Sequence, residues 1–560
     1  MSRVHYRAGR IFTADEPAWA ESLVVDGETL LHVGSTAEAE RVADVVRVVE
    51  LEGALVVPGI VDAHTHIVSM GEALGQIDLS DAADLAEIQA RLRRTAAADP
   101  GAARLRGFGW LFPALDGRRP TRAMLDEAVA DRPVYLAAAD QHSAWVNTAA
   151  LAELGIDADT PDPIGGRIDR DADGAATGML YETAALGLMR GVLDTLTTDG
   201  ERLLAQQQAF EHYLAAGVTA AVDMGLAAEE LTALEGALAA GGGRLPIRVA
   251  GHWIVNRCAD PRDEIAQVDR AIELHRRHAG PWLSVNGIKI FVDGVIDSCT
   301  ASMVEPFADG RHPEAIWDQE ALDAVVAHAD RAGLQVAMHA IGDRASGMAL
   351  TALERATAAD GDHRDHRDHR DHRDHRDHAD HGGRPRRHRI EHLETVTPES
   401  IRRMGRLGIV ASVQPVHADP AIQDNWREML GDDRVSRGFP WMELADAGVR
   451  LVLGSDAPTA PYAPLPNLYI ATTRRSAVRE DLPANHPDQA MPLDLALLRA
   501  TREAAWAAGW GDVTGRLAPG LSADFVVLDR DPFAKGAASL LDARVTRTVV
   551  AGSEARLPPA

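Results

Sequence analysis

The chain has 560 residues, 46% of them hydrophobic and 25% charged, and a formal net charge of −27. That length predicts one large domain with one or two smaller ones, and the composition is that of an ordinary soluble globular protein. The acidic balance argues against a nucleic-acid partner, which would want a basic face, and two cysteines, Cys258 and Cys299, exclude a disulfide scaffold and a cysteine zinc ribbon.

The N-terminus, Met-Ser-Arg-Val-His-Tyr-Arg, runs into strand-like alternation with no apolar signal core. No stretch is apolar for long enough to span a membrane, so a cytoplasmic protein is expected. Short runs at 10–13, 22–25, 30–33 and 45–49 follow the period of two expected of an antiparallel sheet, and runs at 524–528 and 545–550 repeat it near the other end. Neither group suffices alone, so residues 1–55 and 513–560 are expected to pair into one small β domain, a β-sandwich built from both termini.

Between them, apolar strand candidates alternate with helical stretches such as 318–332 and 344–358. The strands are read at 55–61, 218–224, 247–253, 287–292, 335–339, 389–392, 409–414 and 449–454. Eight parallel-type strands with intervening helices predict an α/β fold, a (β/α)₈ TIM barrel over 56–70 and 196–512. An open doubly wound sheet is the alternative, and no GxGxxG loop supports it. The gap between the first two strands is too long for a crossover, so residues 71–195 are read as an insertion over the barrel mouth. Residues 361–383 form a low-complexity loop in which Asp-His-Arg repeats from Asp362 to Arg376. Its imidazoles could store metal, but clustered histidines without fixed geometry are more simply a solvated repeat.

The sharpest local signal is Val57-Pro58-Gly59-Ile60-Val61-Asp62-Ala63-His64-Thr65-His66. Two histidines two residues apart at a strand end emerge on one face, at the end of the barrel where catalysis occurs. Other strands end alike, in His339, in His392 and in Asp456. Lys289 stands inside the apolar run Gly287-Ile288-Lys289-Ile290-Phe291, in a chain whose 57 basic residues include only one other lysine, Lys535. Its head either reaches the strand end to pair with an acid, or is an amine of depressed pKa able to add carbon dioxide and form an anionic carbamate.

Together the HxH after Val-Pro-Gly, the Lys289 strand, His339-Ala340-Ile341-Gly342-Asp343-Arg344-Ala345, Arg389-Ile390-Glu391-His392 and Gly454-Ser455-Asp456-Ala457-Pro458 resemble the amidohydrolase superfamily. The nearest branch is the YtcJ-like group that includes N-substituted formamide deformylases. The resemblance runs nearly end to end, through Trp145-Val146-Asn147 and Gly515-Arg516-Leu517-Ala518-Pro519-Gly520. It implies that His64 and His66 bind the more buried metal and that carbamylated Lys289 bridges both ions. His339 and His392 would hold the second metal, and Asp456 would be ligand and general base. Two zinc ions per chain are the expected cofactors.

The resemblance places His142 near the pocket; Glu182 and Asp343 are read as substrate or supporting contacts, with capping or surface polar roles as the alternative. Trp110, Phe112 and Trp145 are read as pocket-lining aromatics, although buried aromatics are more often core. The expected function is hydrolysis of a carbon–nitrogen bond, an amide such as an N-substituted formamide, in a small-molecule substrate. Ester, lactone or carbamate hydrolysis at the same site is the near alternative, and a metal-binding or scaffold protein the non-enzymatic one. A homodimer is the candidate assembly.

Overall fold

In the computed structural model, which describes residues 3–42, 44–361 and 386–556, eight parallel strands lie side by side in chain order. They are β1 (Ile60–Thr65), β2 (Val218–Leu226), β3 (Arg248–Ile254), β4 (Leu283–Phe291), β5 (Gln335–Ala340), β6 (Arg389–His392), β7 (Val410–Val413) and β8 (Leu451–Leu453). Alternation explains which side chains face where. Ile288, Ile290 and Val292 cluster with Val325, Val326 and Ala329 of the helix Gln319–Arg331, so Gly287, Lys289 and Phe291 are turned to the opposite face. This is the predicted TIM barrel. The repeat tract at 362–381 lies outside the described residues.

Contacts between the strand ends close the barrel from β8 back to β1. The Asp456 amide donates to the His64 carbonyl at 2.7 Å, and the His66 amide donates to the Ala457 carbonyl at 2.9 Å. The Asp62 carboxylate spans the same junction, accepting from the Ser455 amide at 2.9 Å and from its hydroxyl at 2.5 Å. Gly454 makes this approach possible: a β-carbon there would stand 2.5 Å from the His64 backbone nitrogen.

One predicted strand needs correction. The run read as a single strand over 55–61 changes partner at Gly59. Leu55–Pro58 pairs antiparallel with Phe525–Leu528, and only Ile60–Thr65 enters the barrel, parallel to β2. Leu55–Pro58 thereby joins the sandwich predicted from both termini. One sheet holds Thr29–Gly34, Ser22–Asp26, Arg3–Arg7 and Val45–Glu50. The other holds Ser553–Glu554, Val545–Val550, Phe525–Leu528, Leu55–Pro58, Arg10–Phe12 and Trp19–Ala20. Leu23, Val25, Ile11, Phe525 and Val527 form the core between them.

The segment between β1 and β2 builds its own six-stranded sheet, which includes Leu105–Trp110, Val134–Ala138, Ser143–Val146 and Ala176–Glu182. Among the described residues, no helix is long and apolar enough to cross a membrane.

Closure at Gly454 yields a first prediction. The atom that a new methyl group would meet is backbone and cannot swing away. Gly454→Ala should therefore cost ~1–3 kcal/mol and lower the thermal midpoint by roughly 1–3 °C, as read by differential scanning calorimetry.

Candidate metal centre

Closing the barrel gathers the predicted strand-end residues. His64 lies within β1, and His66 is the first residue beyond it, at the N-cap of the helix Ile67–Leu74. Their Nε2 atoms each stand 3.2 Å from the same oxygen, Asp456 Oδ1. The other nitrogen of His64, Nδ1, donates to Glu391 Oε2 at 2.6 Å, which fixes the tautomer and leaves Nε2 a lone pair. Glu391 is itself held by Arg389, whose guanidinium also donates to the Ala63 carbonyl at 2.7 Å and to Ser412 Oγ at 2.5 Å. Around His66, the Asp223 carboxylate accepts from the Ile67 amide at 2.9 Å. Gly225 leaves room for the ring, since a β-carbon there would lie 2.5 Å from His66 Nδ1.

Asp456 also serves a second group. His64, His66 and Asp456 place three ligand atoms within 4.8 Å of one another, and so do His392, His417 and Asp456. His417 was not anticipated from the sequence. It follows β7 in a short turn, its Nδ1 3.0 Å from Glu394 Oε1 and its Nε2 3.5 Å from Asp456 Oδ2. His339 belongs to neither group. Its Nε2 lies 3.2 Å from the Gly294 carbonyl, and its ring packs 4.4 Å from that of His392 and 4.9 Å from that of His142.

These residues suit a divalent cation. Lys289 Nζ and His392 Nδ1 are buried and have no hydrogen-bond partner among the described residues. Orphaned polar atoms of this kind are costly unless something else satisfies them. Burial pushes the Lys289 amine down to about 8, partly opposed by the nearby carboxylates of Glu391 and Asp456. Burial would raise the Asp456 carboxyl, yet the rings of His64 and His66 hold it well below the usual carboxylate range. A buried anion between imidazole nitrogens is the donor set of a cation site. The backbone is strained here as well: His392 and Asp456 adopt φ values of 76° and 59°, a left-handed region rare outside glycine and concentrated at functional sites.

The predicted substrate contacts separate into three kinds. His142 reaches the pocket from the insertion, and Glu182 accepts from its Nδ1 at 2.7 Å, so Glu182 acts by holding His142. Trp110 lines the pocket together with Phe112. Trp145 does not: it is fully buried in the insertion's own core, where its indole donates to the Thr121 carbonyl at 3.0 Å. Asp343 also turns away, accepting from the Val304 amide at 2.7 Å at the start of its helix. Besides His417, the sequence reading missed Glu391, Glu394, Asp62 and Asp223 as partners of the ligand residues.

Comparison with known proteins agrees with this geometry. A model of the amidohydrolase family matches residues 47–555. The chain is 30% identical to YtcJ of Bacillus subtilis, whose name places it among the amidohydrolases, over 90% of this chain and 89% of that one. It is 28% identical to the N-substituted formamide deformylase of Arthrobacter pascens, over 95% and 94%. A crystal structure of an uncharacterized metal-dependent hydrolase from Pyrococcus horikoshii superposes with a TM-score of 0.73 at 26% identity, covering 99% of this chain and all of that one. With strand-end histidines converging on one aspartate in an eight-stranded barrel, the chain belongs to the amidohydrolase family, and it is a metal-dependent hydrolase.

Proposed function

We propose that this protein hydrolyses the carbon–nitrogen bond of a small amide at a centre of two divalent cations. The observation that carries this reading is the shared carboxylate, with Asp456 standing between two imidazole pairs at once. His64, His66 and Asp456 would hold one cation, and His392 with Asp456 the other. The third ligand of the second cation is His417 by geometry and His339 by resemblance. Nitrogen and oxygen donors without a thiolate suit zinc. The relative named for deformylating N-substituted formamides supports an amide substrate.

Lys289 fits the role of a bridging anion. Its neutral amine would add to the carbon of carbon dioxide, forming an N–C bond and releasing one proton. The resulting carbamate would present two oxygens where Nζ has no hydrogen-bond partner among the described residues. A bound cation supplies Lewis acidity, making water acidic enough to attack near neutral pH and polarising the carbonyl. Asp456 takes the proton from the attacking water and passes it to the leaving nitrogen. Burial opposes the charged form of His142, but Glu182 raises its pKa, and as an imidazolium it donates through Nδ1 to Glu182 and through Nε2 to the carbonyl oxygen as negative charge develops there.

Elemental analysis of the chain lacking residues 362–381 should find about two ions per chain. One ion should be lost in His417→Ala if the observed geometry holds, or in His339→Ala if the resemblance does, and no bound ion at all would remove the basis of this reading. Carbon-13 bicarbonate should give a carbamate resonance that is absent from Lys289→Ala. Asp456→Asn should lower kcat by about 10²–10⁴-fold. Glu391→Gln, which leaves the ligands in place, should weaken metal affinity about 10–100-fold in a chelator competition.

A further inference from the structure

Two cavities meet at the ligand residues. His142, His339, His392, Asp456 and Thr459 line both, and both are mainly apolar. The first, of about 240 Å³, takes its other walls from the insertion and from the segments after β4, β5, β6 and β7. The second, of about 410 Å³, lies over β1, β2 and β3, with Leu226, Trp253, Ile254 and Ile316 among its apolar walls. One stretch of this second cavity is different. Where the helix Arg190–Leu196 meets the helix Ala228–Ala240, the wall carries Arg190, Asp194 and Glu230.

That stretch is short of positive charge. Glu230 lines the cavity yet is only 7% exposed, and its Oε2 has no hydrogen-bond partner among the described residues. Its other oxygen, Oε1, lies 3.9 Å from Arg190, too far for a hydrogen bond. Burial would depress the pKa of Arg190, but the carboxylates of Glu230, Asp194, Glu72 and Asp223 together raise it. Two of these four have other partners. Glu72 accepts from Arg106 at 2.8 Å, and Asp223 accepts from the amides of Ile67 and Gly225 at 2.9 and 2.8 Å. Glu230 and Asp194 are left with Arg190 as the main cation acting on them. Burial outweighs it in both, raising the Glu230 carboxyl to about 7 and the Asp194 carboxyl as well. Arg257, elsewhere on the cavity wall, is already engaged by Glu264 and Asp318. Arg190 directly follows a π-helical turn, Ala184–Met189, whose Leu186 and Gly187 line the same cavity. Such turns are rare and occur mostly at functional sites.

We infer that this wall receives a cationic group: the substrate is an amide whose apolar stem lies in the second cavity and ends in an ammonium or guanidinium at Glu230 and Asp194. A positively charged N–H donor meets the unpaired carboxylate, supplies the charge that the wall lacks and holds Glu230 ionised. An anion in the same place would face two carboxylates and be repelled. The stem suits the apolar remainder of the cavity, so one arm of the ligand satisfies both kinds of wall. The inference rests on the amide-hydrolase reading and narrows it, because the metal centre does not itself select for charge at a distance from the carbonyl.

The test uses the metal-loaded protein and three ketones that cannot be hydrolysed and differ only at the end of one arm. 4-(4-Aminomethylphenyl)butan-2-one carries an ammonium and is an isostere of both N-(4-aminomethylbenzyl)acetamide and 3-(4-aminomethylphenyl)propanamide. 4-(4-Ethylphenyl)butan-2-one has a methyl group in place of the ammonium, and 4-(3-oxobutyl)benzoate ends in a carboxylate. By calorimetry, the ammonium ketone should bind about tenfold or more tightly than either of the others. Glu230→Gln should remove that advantage while leaving the affinity of the ethyl ketone unchanged, which also shows that the variant is folded. Glu229→Gln, one residue away and exposed to solvent, should keep the advantage, which separates a local site from the chain's net charge of −27. Equal binding of the ammonium and ethyl ketones, a preference that survives Glu230→Gln, or an equal loss in both variants would overturn the proposal. Turnover of the two parent amides and of N-(4-ethylbenzyl)acetamide is measured separately. If none is cleaved while the ketone pattern holds, amide hydrolysis falls and the cation subsite stands. If N-(4-ethylbenzyl)acetamide is cleaved with the same kcat/KM as its ammonium counterpart, the cation subsite falls and amide hydrolysis stands.

Discussion

Everything at the metal centre depends on the way β8 returns to β1. The histidines of the first strand and the aspartate after the last are distant in sequence, and the backbone bonds that close the barrel set them side by side. Asp456 donates its own amide to His64, so its side chain is positioned by the same peptide that seals the ring. That placement holds Asp456 at a φ of 59°, a strain of ~1–3 kcal/mol for a residue with a β-carbon. Asp62 offsets it by bridging to Ser455 through amide and hydroxyl together. Ligand geometry and barrel closure are therefore one constraint, and Gly454 is where both would give way.

Behind the ligands the barrel holds charges in a place where apolar side chains would be cheaper. Arg389, Glu391 and His64 form a continuous chain of short hydrogen bonds in which the carboxylate is satisfied from both sides. Burial alone would raise the Glu391 carboxyl, but Arg389 and His64 keep it ionised, well below its ordinary range. The opposite side of the site is left open, with Lys289 Nζ and His392 Nδ1 lacking hydrogen-bond partners among the described residues. A carboxylate satisfied on one flank beside buried polar atoms left unsatisfied on the other is unstable as a purely structural device. It makes sense if the missing partners are cations, with Glu391 keeping the His64 lone pair aimed at them.

Much of this was legible in the sequence because barrel strands announce themselves. Short apolar runs ending in His64, His339, His392 and Asp456 locate both the sheet and its active end, and Lys289 stands out against an arginine-rich background. What was not legible lacks periodicity. His417 sits in a turn after β7, in Gln414-Pro415-Val416-His417, where no spacing rule separates a ligand from an ordinary loop histidine. The change of partner at Gly59 was hidden because one apolar run serves two sheets, and pattern alone cannot say which neighbour a strand will find. Trp145 and Trp110 stand in strands of similar apolarity on either side of Val134–Ala138 and both pack in the insertion's core, yet only Trp110 also reaches the pocket. Only the sheet register distinguishes them.

The insertion explains how one barrel can keep its chemistry while its choice of substrate is set elsewhere. The ligand residues sit at or just beyond strand ends, and their positions follow from register and closure. The apolar cavity is walled largely by the insertion and by the loop beyond His417, neither of which must move for the donors to converge. His142 is the exception that links the two. It comes from the insertion sheet, and Glu182, on the neighbouring strand of that sheet, holds its ring. Displacing the sheet would therefore move an apolar wall and a hydrogen-bond donor together. On the proposed reading, this one small sheet couples the shape of the Trp110 cavity to the placement of His142.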